Sequence, residues 1–166
     1  MHGYISVIDK INNIIKYAAY STFLLLAALV FAQVVTRFVI SYPLAWTEEI
    51  SRYLTIYIVF LGSALAMRQR QHIAIDFLTE IVSAVNKKRL NIIILIICAV
   101  FFAALTYFGT VLTITVAGQS TPTLQFSMAW AYAAIPLGSF MMLLNTVANI
   151  LEWKTGDVKE NSGDIL

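Results

Sequence analysis

Residues 90–151 read LNIIILIICAVFFAALTYFGTVLTITVAGQSTPTLQFSMAWAYAAIPLGSFMMLLNTVANIL, 62 residues without one Asp, Glu, Lys, Arg or His. An ordinary soluble domain carries about 25% charged residues. This chain of 166 residues carries 12%, is 60% hydrophobic and has a mean hydropathy of +0.79. A membrane-spanning helix needs about 20 apolar residues to cross a hydrocarbon core of about 30 Å. The stretch is therefore too long for one span and must fold back. It divides at Gly118-Gln119-Ser120-Thr121-Pro122-Thr123, a cluster of turn formers. The halves predict helices over about 91–116 and 128–151, each long enough to cross with some tilt.

Two further spans lie upstream. Residues 17–36 are free of charge between Lys16 and Arg37, which predicts a helix over about 17–38. Arg52 and Arg68 bracket a shorter apolar run, residues 53–67. That helix is extended back to Thr47, giving a span of about 47–67. Thr47 is read as its N-cap, with Glu48 and Glu49 at the positive end of the helix dipole. The fold class is an all-α integral membrane protein with four transmembrane helices. Continuous apolar runs exclude a transmembrane barrel, whose strands alternate. The first run is longer than a signal-peptide core and no small-x-small cleavage site follows it, so it is read as an uncleaved span.

The remaining composition removes other classes. Disorder needs low hydrophobicity and high charge. A disulfide scaffold needs more than the single Cys98. A net charge of +2 does not suggest nucleic acid as a partner; membrane lipid is the partner that the composition demands.

Nine of the eleven basic residues sort to one side: Lys10, Lys16, Arg68, Arg70, Lys87, Lys88, Arg89, Lys154 and Lys159. The positive-inside rule then places both termini in the cytoplasm, and the 38–47 and 117–127 loops face outward. Between the second and third spans, Phe77, Leu78, Ile81, Val82 and Val85 recur at helical spacing. They predict a short amphipathic cytoplasmic helix, lying in the interface or covering the ends of the spans. The four-helix membrane domain is placed over 1–154, and 155–166 is a polar cytoplasmic tail.

No catalytic set is visible, and the chain is not read as an enzyme. Ionisable groups at membrane depth are costly and usually functional, and the third and fourth spans contain none. Their polar residues, with those of the first span, are Gln33, Thr36, Thr106, Thr110, Thr113, Thr115, Ser139, Asn145, Thr146 and Asn149. Hydrogen bonding across helix interfaces is the reading preferred for them. Small residues in Gly62-Ser63-Ala64-Leu65-Ala66 are candidates for close helix approach, and Pro136 is expected to kink the fourth span.

The sharpest cluster is Glu48, Glu49 and Arg52. Spacings of four and three put them on one helix face, and Arg37 is a partner within reach of either carboxylate. An interfacial ion-pair network fixing the first two helices is preferred over a proton- or cation-coupling site, because the cluster sits at a helix end. Trp46, Tyr42, Trp130, Tyr132 and Trp153 read as interface anchors. His72 is four residues from Asp76 and is read as its hydrogen-bond partner. With His2 the only other histidine, no haem or metal site is expected, and no cofactor is assigned.

From about Ile11 to Trp153 the sequence resembles the small permease subunit, of DctQ type, of tripartite ATP-independent periplasmic (TRAP) transporters. The resemblance is carried by Arg37-Phe38, by Trp46-Thr47-Glu48-Glu49-Ile50-Ser51-Arg52-Tyr53 and by Phe60-Leu61-Gly62-Ser63-Ala64. Arg68, His72-Ile73-Ala74-Ile75-Asp76, Trp130-Ala131-Tyr132 and Ala134-Ile135-Pro136-Leu137-Gly138 extend it.

The resemblance implies a three-component importer in a bacterial inner membrane. A periplasmic substrate-binding protein (P type) captures an organic acid, a carboxylate such as sialic acid or a C4-dicarboxylate. A large multispanning permease subunit (M type) moves it inward on a sodium gradient. The small subunit is then a scaffold that braces the large one and helps dock the binding protein. On this reading Arg37, Trp46, Glu48, Glu49 and Arg52 hold the outer ends of the first two helices. Arg68, His72 and Asp76 order the inner connection. The competing readings are a stand-alone proton-coupled exporter acting as a homodimer, with Glu48 or Glu49 as coupling residue, and a membrane anchor of a respiratory enzyme.

Overall fold

The computed structural model describes residues 2–42, 44–69 and 84–155, and all of its regular elements are α-helices. They are α1 (His2–Phe38), α2 (Ala45–Arg68), α3 (Ala84–Thr115), α4 (Ala129–Tyr132) and α5 (Ala134–Thr155). Four stretches are long and apolar enough to cross a membrane, α4 and α5 together supplying the last of them. The chain is an all-α, multipass membrane protein. The expected amphipathic helix after α2 falls mostly on residues outside the described ones, as do His72, Asp76 and the tail from 156.

Asp9 of α1, Arg68 of α2 and Glu152 of α5 meet at one end of the bundle, the terminal end. The 39–44 connection and the 116–128 loop form the opposite, loop end. The main packing runs α1–α2–α5–α3, with a smaller contact between α1 and α5; among the described residues α1 and α3 are not in contact. α5 is the central element: 44% of the most apolar stretch of its span is buried, against 6% in α1. The apolar core, Ala64, Met67, Leu95, Phe102 and Met142, lies where α2, α3 and α5 meet.

At the terminal end α1 is held by a stripe, Ile8, Asn12, Ile15 and Ala19, all buried. Spacings of four, three and four keep one narrow face toward a neighbouring helix. The stripe continues, half-buried, through Thr22, Leu26, Leu29, Gln33 and Thr36. The opposite face, with Phe23, Leu24, Phe31 and Val34, is exposed. In a bilayer such a face needs no protein cover, because lipid tails are as apolar as leucine. At 37 residues, α1 rises roughly 55 Å, so it begins well before the expected start near residue 17 and outruns the hydrocarbon core.

Two glycines set the closest approaches. A Cβ on Gly138 of α5 would stand 2.5 Å from the Cβ of Phe60 of α2. A Cβ on Gly109 of α3 would stand 2.8 Å from Ile135 Cγ2. Gly62, the glycine expected to serve this purpose, has open space beside it, with nothing within 4 Å of an added Cβ. Only its neighbour Ala64, fully buried, packs in the core.

The fourth span is interrupted at Ala133, just before Pro136. Pro136 has no N–H to offer the carbonyl of Tyr132. α4 ends at that residue, and α5 begins at Ala134 and carries Pro136 in its first turn, where a missing donor is tolerated. Thr47 is not an N-cap. The helix starts two residues earlier, with Leu44 at the cap position and no side-chain capping bond; Thr47 Oγ1 donates to the Leu44 carbonyl at 2.7 Å.

Candidate functional site

Polar chemistry is concentrated at the two ends of the bundle. At the terminal end, Arg68 closes α2 and is surrounded by three acceptors from two other helices. Its Nε donates to Asp9 Oδ1 of α1 at 2.8 Å, Nη1 to Asn149 Oδ1 of α5 at 2.9 Å and Nη2 to Glu152 Oε1 of α5 at 2.6 Å. A planar guanidinium with five donors suits such a fork, where a lysine would supply one point charge. The Arg68 and Glu152 side chains are 15% and 10% exposed, while Asp9 is 45% exposed. The inner pair is charge-assisted and shielded; Asp9 sits at the rim.

One turn deeper lies a layer of amides. Asn12 of α1 and Asn145 of α5 exchange two hydrogen bonds, at 2.7 and 2.9 Å. The Asn145 amide also donates to the Ala64 carbonyl of α2 at 2.7 Å, and Asn149 donates to the Met67 carbonyl at 2.7 Å. Asn12 reaches back to the Ile8 carbonyl at 2.9 Å. All three asparagines are buried, and each amide has a partner, as burial requires. Asn145, Asn149 and Glu152, spaced by four and three, lie on one face of α5 and lock α1 and α2 against it.

The hydroxyls behave differently from the expectation that they would bond across interfaces. Thr106, Thr110, Thr113, Thr115 and Thr146 each donate to the carbonyl four residues back in their own helix, at 2.7–2.8 Å. Ser139 does the same to Ile135, and Thr36 donates to Gln33 three residues back. A short hydroxyl reaches its own backbone more easily than a neighbouring helix. Among the uncharged polar residues named above for the spans, Asn145 and Asn149 are the ones that bond across to another helix.

At the loop end the predicted cluster separates. Glu48 and Arg52 form an exposed pair at 3.3 Å, their side chains 60% and 70% exposed. Glu49 is buried and faces elsewhere. Its Oε1 accepts from Tyr53 Oη at 3.0 Å, and its Oε2 accepts the backbone N–H groups of Thr123 and Leu124 at 2.8 and 3.3 Å. Spacing alone would let either carboxylate reach Arg52; Glu48 takes it, while Glu49 is engaged by Tyr53 and the loop amides. Arg37 pairs with neither; its guanidinium lies 5.9 Å from the centre of the Phe38 ring. Trp46 and Trp130 are exposed. The side chain of Trp153 lies outside the described residues.

The loop that Glu49 holds is closed on itself. Thr121 and Phe126 are joined by a backbone bond at 2.7 Å, Met128 and Gln119 by another at 2.8 Å, and Gln125 takes the left-handed conformation at φ 57°. Ser127 Oγ donates to the Ala117 carbonyl at 2.7 Å. Glu49 is thus a latch between α2 and a compact loop.

The sequence singles out Arg68 and Glu49 but not their partners. Asp9, Glu152, Tyr53 and the Thr123 amide are absent from the predicted cluster. The spacing of Asn145, Asn149 and Glu152 on one helix face was the available signal.

The chain is 28% identical to the sialic acid TRAP transporter permease protein SiaT of Haemophilus influenzae over 88% of its own length, and spans about a quarter (24%) of that protein. It is 27% identical to the sialic acid TRAP transporter small permease protein SiaQ of Vibrio cholerae, covering 84% of this chain and 81% of the relative. It is 30% identical to the ectoine TRAP transporter small permease protein TeaB of Halomonas elongata, covering 69% and 61%. Residues 26–155 match the family model for the DctQ component of tripartite ATP-independent periplasmic transporters. The chain belongs to that family, one of transporter membrane subunits and not of enzymes.

Proposed function

We propose that the chain is the small membrane subunit of a sodium-driven importer of an organic acid. It braces a large multispanning permease subunit and helps a periplasmic substrate-binding protein to dock. It sits in a bacterial inner membrane with the terminal end in the cytoplasm and the loop end in the periplasm. The observation that carries this reading is the three-helix grip on Arg68: the cation of α2 is tied to Asp9, Asn149 and Glu152. A coupling residue must change partners during a cycle, whereas these groups hold three helices in one arrangement. A rigid row of helices suits a frame against which a moving permease works. Charge supports the orientation, since lysines and arginines crowd the terminal end. The sialic acid relatives support the carboxylate class. The compact loop latched by Glu49 is the candidate contact for the binding protein, and the exposed faces of α1 and α3 are the candidates for the large subunit.

Affinity purification of the tagged chain from native membranes in mild detergent, followed by mass spectrometry, tests this. A stoichiometric large multispanning protein is the expected companion. Recovery of the chain alone as a defined homodimer would overturn the scaffold reading. In the assembled system, Glu49→Gln is expected to reduce assembly more than it changes apparent substrate affinity.

A further inference from the structure

A cavity of about 230 Å³ lies at the loop end between the first turns of α2 and the latched loop, with Ile50, Leu54, Leu124, Phe126, Trp130 and Ala131 in its lining. We propose that it holds the end of a phospholipid acyl chain. Tyr53, Tyr57, Thr121 and Ser127 complete the lining, and each of their hydroxyls is already engaged. Tyr57 Oη donates to the Trp130 carbonyl at 2.6 Å and Tyr53 Oη to Glu49 at 3.0 Å. Ser127 Oγ donates to the Ala117 carbonyl, and Thr121 Oγ1 accepts the Phe126 N–H at 3.2 Å. A polar ligand would find no convergent groups to fix it, as small-molecule sites normally provide. Hydrocarbon needs none.

The position selects the occupant. Ile50, Leu54 and Tyr57 belong to the spanning part of α2, and Trp130 and Ala131 to the last span. Its two strongly exposed lining residues, Phe126 at 63% and Trp130 at 75%, leave the cavity open to the surface of the bundle beside two spanning helices. An apolar cavity of about 150 Å³ inside a protein stays dry and takes up benzene. This one is larger, and it extends along α2 from Ile50 to Tyr57, a rise of about 10 Å. That fits a stretch of alkyl chain lying along the helix. The filled cavity would seat the loop on α2 from the apolar side, as Glu49 does from the polar side. The inference is independent of the proposed transport role.

The test uses the full chain in nanodiscs of phosphatidylethanolamine and phosphatidylglycerol, doped with a phospholipid bearing a diazirine near the end of one acyl chain. After illumination, adducts are mapped by mass spectrometry. The expected result is labelling of Ile50–Tyr57 several-fold above that of the exposed α3 wall at Ile96–Phe101. Leu54→Trp, which fills the cavity, should bring it down to the level of the wall with helical content unchanged. Ile50→Phe is the milder filling variant should Leu54→Trp misfold. Labelling no stronger than the wall would overturn the proposal. So would labelling that both variants leave intact, or labelling lost when the chain is purified with its native partners, which would mean that a protein side chain fills the space.

Discussion

Arg68 and Glu152 stand 2.6 Å apart although 84 residues separate them in sequence. The pair joins the last residue of α2 to the final turn of α5, and with Asp9 it brings α1 into the same contact. Removing one partner of a shielded pair leaves an uncompensated charge, which costs about 3 kcal/mol or more. Arg68→Met is therefore expected to lower unfolding free energy in a detergent titration by about that amount. Asp9→Asn, at the exposed rim, should cost less than about 1 kcal/mol. Equal costs for the two would show that Glu152 is not the principal partner.

The amide layer predicts a contrast between asparagine and threonine. A double-mutant cycle of Asn12→Ala and Asn145→Ala should report a coupling of about 1 kcal/mol, within the range measured for hydrogen bonds between membrane helices. Thr110→Val should change stability little, because its hydroxyl serves only its own helix.

At the loop end, neighbouring carboxylates should give opposite results. Glu49→Gln replaces one acceptor oxygen with a donor facing Tyr53 or the Thr123 and Leu124 amides. Hydrogen exchange at those two amides should accelerate several-fold. Glu48→Gln removes only an exposed ion pair, a class worth about 0–1 kcal/mol, and should leave the loop amides unchanged.

The glycines predict a third contrast. Gly138→Ala forces a Cβ against the stem of Phe60, too close to the backbone to swing aside, so α2 and α5 must separate. Overpacking of this kind costs about 1–3 kcal/mol. Gly62→Ala meets open space and should gain about 0.5–1 kcal/mol from helix propensity. Thermal unfolding of the two purified variants, one shifted down and the other up, checks the assignment.

The all-α class, the four long apolar helices and the turn between the last two were legible in the sequence, because a bilayer imposes a length rule on each helix separately. That rule acts on local composition, and local composition is written along the chain. Which helix lies beside which was not legible. Apolar side chains toward lipid and toward protein look alike, so nothing in residues 17–36 showed that α1 packs chiefly on α2 and, among the described residues, not on α3. For the same reason Gly62 and Gly138 were indistinguishable until a neighbour's position was known. Arg68 and Glu49 could be picked out because a charge near a membrane needs a partner. Their partners could not, since Asp9, Glu152 and the Thr123 amide reach them only through folding of distant segments. Composition determined that four helices cross the membrane; packing decided which polar groups they share, because a hydrogen bond of 3 Å depends on where two helices meet and not on what either contains.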